Sequence, residues 1–587
     1  MLAGENVMFQ VGVIMLIAFI GAALAKRTGQ SVILGYIIVG ILIGPYMYLQ
    51  IGDLTYTGVL QDTGFIESMS QLGLILLLFF VGLEFSFTKL KKTKSPATIL
   101  AVTNLGINMF AGIMLGSLLG WPVVDTIFLA GVIAMSSCAI TAKSLMELDR
   151  LANPETEYLL GMVIVEDFLA MVLLTIVGGL MVKTGATPVT ISALALGILA
   201  FYAFFIILAI WVIPRVVKHL SKIKSDELFV LFALGIVFIS AALAEFCSVP
   251  AIIGAFFIGM VFAETKLSER LVEKISPFRD AFVAIFFVSF GMMIDPAMFP
   301  QVIWIVALAV PMVLINDILI TAALAYFLGF SAKGAVSMGT SLCGRGAESV
   351  MYASVGSNAV GTTKGAELFP FAGAFCFVMS AITPLLMRRS LTITEAIGKR
   401  LPSYVKYSGS VIARTISKLV MPIRVSLYHR PKRLGITLMV YFLLLVSIIA
   451  ASGTYHIILF GISLGVTFLI WGVIDRELFP VVQHTNYTNI GVGPGARAKV
   501  AHFVSTFIFL SLLTIICMAL LFIYNPLLSL IVVVIYLVVT LRLMKGHYLA
   551  TFRNLGLTGK VVVEPEFPWE KPPAPSRFKK RDRWRNL

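Results

Sequence analysis

Gly35-Tyr36-Ile37-Ile38-Val39-Gly40 returns far along the chain as Gly254-Ala255-Phe256-Phe257-Ile258-Gly259. A Ser-Val pair precedes each copy, Ser31-Val32 in the first and Ser248-Val249 in the second. A second pair of stretches keeps the same order. Phe79-Phe80-Val81 is followed by Gly82, and Phe286-Phe287-Val288 is followed by Gly291. Two ordered matches at the same helix offset point to an internal repeat.

The surroundings of these stretches fix the class. Of 587 residues, 59% are hydrophobic and 13% charged, which is too little polar surface for a soluble chain of this length. Apolar runs of about 20 residues, enough to cross a bilayer, recur throughout. The pattern predicts helices near 7–25, 29–49, 66–87, 97–120, 124–145, 158–182, 188–213, 226–246, 249–264, 277–294, 301–329, 335–357 and 368–388. Threading them through a membrane gathers the basic clusters on one side: Lys26-Arg27, Lys89 to Lys94, Arg215 to Lys224, Lys266 to Arg279 and Arg388-Arg389. That side carries about nineteen Lys and Arg against two (Lys183 and Lys364) on the other, so it is cytoplasmic and the N-terminus lies outside. A first block of six helices then enters from outside and a second from inside, with 188–213 as connector. The expected fold is an all-α, inverted-repeat (6+1+6) polytopic membrane protein, an architecture of secondary transporters.

The net charge of +15 does not indicate nucleic acid, because the excess lies in loops and the tail, where membrane topology puts it. Cys138, Cys247, Cys343, Cys376 and Cys517 are scattered in apolar segments without paired spacing, so neither a disulfide frame nor a zinc site is implied. The first apolar run lacks a basic leader and is expected to be a retained helix. The domain reading is a thirteen-helix membrane region over 1–389, a basic cytoplasmic linker with an interfacial helix over 390–432, an additional four-helix membrane region over 433–545 and a basic, Pro-rich cytoplasmic tail over 546–587. Those four extra apolar runs lie near 434–453, 456–473, 499–523 and 526–543. No G-x-G-x-x-G marks an appended dinucleotide-binding domain.

Chemistry is carried by charges placed at depth. Glu166-Asp167 lies about nine residues into its helix, roughly 13 Å from the cytoplasmic end. A carboxylate there costs several kcal/mol unless paired, protonated or wet. Neighbouring residues of a helix point about 100° apart, so the two acids can face different partners. A proton exchangeable near neutral pH is what a cation/proton exchanger requires of such a site. Ser136, Ser137, Cys138 and Thr141 form a polar cluster in the 124–145 helix, where hydroxyls and freed carbonyls suit Na⁺ or K⁺. In the 335–357 helix, Gly344 and Gly346 permit an unwound backbone around Arg345. Arg345 itself is read as a structural countercharge, with Glu348 three residues on. Asn316-Asp317 lies mid-helix in 301–329; Asp317 can pair with Arg345, carry a proton, or do both. The six histidines fall in loops, at helix ends or beyond Arg389, which leaves proton handling to carboxylates.

Together these stretches resemble the second monovalent cation:proton antiporter family, which includes Kef-type potassium efflux systems and NapA/GerN-type sodium antiporters. The resemblance rests on Leu34-Gly35-Tyr36 through Gly44-Pro45, Leu77-Leu78-Phe79 through Gly82-Leu83-Glu84, Ser136-Ser137, Glu166-Asp167, Gly254-Ala255-Phe256, Phe286-Phe287-Val288 and Arg345-Gly346. It implies a homodimer, a core domain moving against a dimerisation domain, and discontinuous helices crossing beside the acidic pair. It also implies that Asp167 is the ion- and proton-binding aspartate. Two positions depart from the family: Glu166 replaces its Asp, Asn or Gln, and Asp317 stands where many members have Lys. Arg345 is expected to supply the missing countercharge by bridging Asp317 or Glu348. Residues 390–587 match nothing in the family pattern.

The expected function is exchange of Na⁺ or K⁺ for H⁺ at Asp167, assisted by Glu166 and by Ser136, Ser137 and Thr141. Asp317, Arg345, Glu348 and Asn316 compensate charge. No cofactor and no enzymatic chemistry are expected; the partners are the transported ions, the bilayer of the cell membrane and a second copy of the chain. A gated cation channel or uniporter on the same scaffold, or an ion-sensing receptor, are the alternatives.

Overall fold

A computed structural model describes residues 7–28, 30–51, 54–84, 87–181, 207, 215, 225–246, 251–357, 359, 361–420, 440–441, 455–483, 485, 497–525 and 528–555. Apart from residue 207, the connector expected at 188–213 lies outside these residues, as do most of the run at 434–453 and the tail beyond 555. The chain divides into two compact units: Met1–Thr321 with Ser337–Ser390, and Ala322–Val336 with Leu391–Leu587. Among the described residues, eleven helices are long and apolar enough to cross a membrane.

The first unit opens with α1 (Val7–Arg27) and α2 (Val32–Ile43). Ser31 caps α2, its hydroxyl accepting from the Ile33 amide. The helix stops far short of the expected residue 49, because Gly44 precedes Pro45 and a pre-proline residue disfavours the helical region. Instead, a small antiparallel hairpin follows, β1 (Leu49–Ile51) against β2 (Leu54–Tyr56), with Leu49 opposite Tyr56. Next come α3 (Thr63–Glu84), α4 (Phe87–Leu118), α5 (Val123–Ala134), α6 (Cys138–Glu147) and α7 (Pro154–Met181). The second half of the unit holds α8 (Asp226–Phe246), α9 (Ala251–Ala263), α10 (Ser268–Met292) and α11 (Phe299–Ile315), then a π-helical turn over Asn316–Thr321. Two basic stretches outside the expected spans are helical: Lys89 to Lys94 lies in α4, and Arg270 and Lys274 lie in the opening turns of α10. Hydropathy marks where a helix leaves the lipid, not where its hydrogen bonds end.

The rest of the chain forms α12 (Ala322–Phe327), α13 (Ala332–Leu342), α14 (Ala347–Ser357), α15 (Gly365–Arg388), α16 (Ser390–Arg400), α17 (Ser403–Val420), α18 (Tyr455–Gln483), α19 (Arg497–Tyr524) and α20 (Ser529–Leu555). The expected spans 124–145 and 335–357 are each broken, at Met135–Ser137 and at Cys343–Gly346.

The sequence repeat is also a packing repeat. A Cβ on Gly35 would strike the Gly21 carbonyl and the Ala25 side chain; one on Gly254 would strike the Ser240 carbonyl and the Ala244 side chain. Gly21 and Gly35 are as far apart in sequence as Ser240 and Gly254. The two halves then interlock: Gly40 of α2 lies on Val288 and Gly291 of α10, and Gly259 of α9 lies on Phe79 and Gly82 of α3. Lipid tails are as apolar as the side chains, so helices here associate through close contact rather than escape from water, and small residues at the crossing set how near backbones come.

Around these crossings, Phe79, Phe80, Phe229, Val237, Ile258 and Phe262 fill one buried core, and Phe128, Val132, Ile133, Val313, Phe375 and Met379 fill another. In the second unit, α17 lies against α20 and α12, α18 against α19 and α19 against α20. Tyr407, Ile412, Ile474, Leu478, Val504 and Met544 are buried there. The described part of the basic linker, residues 390–420, is thus largely helical in α16 and α17, with one face of α17 packed inside the unit; the rest of the linker lies outside the described residues.

Candidate functional site: an acidic cluster at the crossing of two broken helices

The crossing is built from two gaps. Met135 and Ser137 take extended dihedrals (φ −78°, ψ 112° and φ −92°, ψ 114°), which ends α5 and restarts the chain as α6. Across from them, Gly344 and Gly346 sit in the gap between α13 and α14; a Cβ on Gly346 would collide with the Ser137 hydroxyl. The freed backbone groups find one another: the Ser137 amide donates to the Gly344 carbonyl at 2.8 Å, and the Ser349 hydroxyl donates to the Met135 carbonyl at 3.4 Å. Asp125, buried near the start of α5, accepts from the Thr363 and Lys364 amides and so ties that helix to the start of α15. The breaks leave Cys138 as the first residue of α6 and Glu348 in the first turn of α14. Two helix N-termini, the positive ends of their dipoles, therefore converge where acids collect.

Arg345 occupies the centre of the crossing and is fully buried. Its Nε donates to the Ile133 carbonyl at 2.8 Å and its Nη1 to the Leu342 and Gly344 carbonyls at 2.5 and 3.2 Å. Its Nη2 pairs with Asp317 Oδ2 at 3.2 Å. Of the two acids expected to receive it, Asp317 does so; among the described residues no ion pair joins Arg345 to Glu348. Asp317 comes from the π-helical turn, where the widened backbone turns Asn316, Asp317 and Thr321 inward.

A line of amides runs on from there. Asn108 Nδ2 donates to Asp317 Oδ1 at 2.9 Å, Asn316 Nδ2 donates to Asn108 Oδ1 at 3.3 Å, and Thr321 donates to Asn104 Oδ1 at 2.6 Å. Asn104 Nδ2 in turn donates to Glu166 Oε1 at 2.8 Å, and the Ser136 hydroxyl donates to Glu166 Oε2. Asn104, Asn108 and Thr321 were not singled out by sequence; the available signal was two amide side chains one helical turn apart in an otherwise apolar run. Thr141, expected as a cation ligand, is fully buried and donates to the Ser341 carbonyl at 2.8 Å.

Asp167 faces the other way. Its carboxylate, the Cys138 Sγ and the Glu348 carboxylate place one ligand atom each within 4.8 Å of one another, and all three residues are buried. Cys138 Sγ donates to Glu348 Oε1 at 3.4 Å, and Glu348 Oε2 has no hydrogen-bond partner. Three residues past Asp167, the Ala170 carbonyl accepts from the Tyr352 hydroxyl at 2.5 Å, which locks α7 against α14.

A family model described as the transmembrane sodium/hydrogen exchanger matches residues 14–388. The chain belongs to the sodium/hydrogen exchanger family. It is thus a multi-pass membrane antiporter that exchanges a monovalent cation for protons. The exchanger is 32% identical over 396 residues to the K(+)/H(+) antiporter subunit KhtU of Bacillus subtilis, a match covering 67% of this chain and 96% of that one. It is 27% identical over 349 residues to the Na(+)/H(+)-K(+) antiporter GerN of Bacillus cereus, covering 59% of this chain and 87% of that one. Among solved structures, the sodium proton antiporter MjNhaP1 from Methanocaldococcus jannaschii at pH 8 aligns with a TM-score of 0.46 and 15% identity, over 66% of this chain and 97% of that one. The exchanger carries its buried crossing charge as an Arg345–Asp317 pair wrapped in backbone carbonyls, which leaves that arginine's donors spent on the scaffold.

Proposed function

We propose that Asp167 is where the cation and the proton compete, with Glu348 beside it as the second carboxylate of the site. One observation carries this: Asp167 and Glu348 are buried next to each other, and among the described residues neither has a Lys or Arg partner. Two such carboxylates cannot both stay ionised in an apolar interior without a positive charge between them. A proton or an alkali cation can supply it, and the arrival of one removes the need for the other. Glu166 stands behind the site, held by Asn104 and Ser136. Ser137 lines the crossing, and Thr141 fastens its two arms. Asp317 and Arg345, with Asn316 and Asn108, hold the crossing rigid while the site turns from one side of the membrane to the other. The exchanger works as a homodimer in the cell membrane, N-terminus outside and C-terminus in the cytoplasm, and carries Na⁺ or K⁺.

Purified protein in liposomes with a clamped membrane potential tests this. Adding Na⁺ or K⁺ collapses a preset pH gradient with wild type, and Asp167→Asn abolishes that response. Cation flux that persists in Asp167→Asn without moving protons would mean a channel instead.

A further inference from the structure

The thiol in this cluster has no use for an alkali cation, which takes oxygen ligands, but it changes what else can bind. We propose that Cys138, Asp167 and Glu348 form a site for a thiophilic divalent cation, of which Zn²⁺ and Cd²⁺ are the probes, and that its occupancy blocks exchange. The inference rests on Asp167 being the transport site and adds a class of inhibitor to it.

The donor set is the ground for this. One sulfur and two carboxylates give three protein ligands and leave a fourth position for water, a set that d¹⁰ ions accept in tetrahedral geometry. Their ligand atoms lie within 4.8 Å of one another. Bonds of about 2.0 to 2.3 Å to a shared zinc put neighbouring ligand atoms roughly 3.5 Å apart, so modest side-chain rotation closes the site. Cys138 Sγ and Glu348 Oε1 are already at 3.4 Å. The second oxygen of Glu348 is independent support: it is buried, unpartnered and on a residue only 8% exposed. Arg345, the nearest cationic group in the sequence, is spent on Asp317 and three carbonyls. Binding would form a metal–sulfur bond and break the S–H bond, the thiol proton leaving to water with any proton held by the two acids. No redox step is involved. Competition with transport follows from the shared Asp167.

The test is a Cd²⁺ titration of the purified full-length exchanger, read by the ultraviolet sulfur-to-cadmium charge-transfer band. One Cd²⁺ per chain is expected, with the band absent in Cys138→Ser and present in Cys517→Ser. Glu348→Gln should weaken the affinity at least about tenfold, and added Na⁺ or K⁺ should raise the apparent Kd for Cd²⁺. Because Cys138→Ser is nearly isosteric, it tests the site even where Glu348→Gln fails to fold. In liposomes, Cd²⁺ should stop wild-type exchange. A band that survives in Cys138→Ser, or a Cd²⁺ affinity indifferent to the transported cation, overturns the proposal. If Cd²⁺ does not bind while Asp167→Asn abolishes exchange, only the metal site falls; if Asp167→Asn still exchanges, the transport assignment falls with it.

Discussion

Arg345 and Glu166 are both charged residues in apolar surroundings, yet the structure treats them differently. Arg345 has its donors matched by Asp317 and backbone carbonyls, so removing one partner strands the other. Arg345→Met should lower stability by about 3–5 kcal/mol, and the double change with Asp317→Leu should recover most of it, because a packed apolar pair replaces a buried ion pair at little cost. Thermal unfolding in detergent measures both. Failure of the double variant to recover would mean that the pair does more than hold the crossing. Asn104 bridges Glu166 and Thr321; Asn104→Leu strands both and should cost about 1–3 kcal/mol in the same assay. At this scale Glu166-Asp167, Asp317 and Arg345 were legible, since a charge deep in an apolar run is expensive enough to stand out. The Asn104–Asn108 line was not. An amide is a weak signal in a helix, and its partners lie far away in sequence.

Among elements, the close crossings make a sharper prediction. A methyl group at Gly40 or Gly259 meets backbone on the facing helix, whereas Gly12 and Gly106 have nothing within 4 Å. Gly40→Ala and Gly259→Ala should therefore each destabilise the fold by about 1–3 kcal/mol. Gly12→Ala and Gly106→Ala should stay within about 1 kcal/mol of wild type. Matching losses at Gly40 and Gly259 would show in thermal unfolding that the two halves pack by one rule. The repeat was readable because the glycines that permit contact are the residues that recur. The helix breaks were harder to place. Gly344 and Gly346 advertised one; Met135-Ser136-Ser137 contains no glycine or proline, and only its hydroxyls and the family resemblance pointed to a discontinuity there. The π-helical turn at Asn316–Thr321 left no local mark either, since it widens a helix without interrupting its apolar pattern.

For the whole molecule, the family match ends at residue 388, while every residue of the proposed site lies in the first compact unit. A chain ending at Arg389 should therefore retain cation-driven proton movement in liposomes. It should also unfold at lower temperature, because α12 loses α17 and Phe327 loses the ring of Phe507, 5.4 Å away. Loss of exchange in a truncated chain that is folded would assign the later helices a part in transport. Length and composition gave the membrane class, and the motifs that carry the family resemblance gave the antiporter region. They could not reveal that Ala322–Val336 groups with the chain beyond Ser390, because that association depends on which surfaces meet and not on local sequence.

Competition for one acid can be read without transport at all. Purified exchanger in lightly buffered detergent solution should release protons when Na⁺ or K⁺ is added, and Asp167→Asn should bind neither cation nor release protons. Cation binding by wild type with no proton release, or undiminished release from Asp167→Asn, would contradict the account.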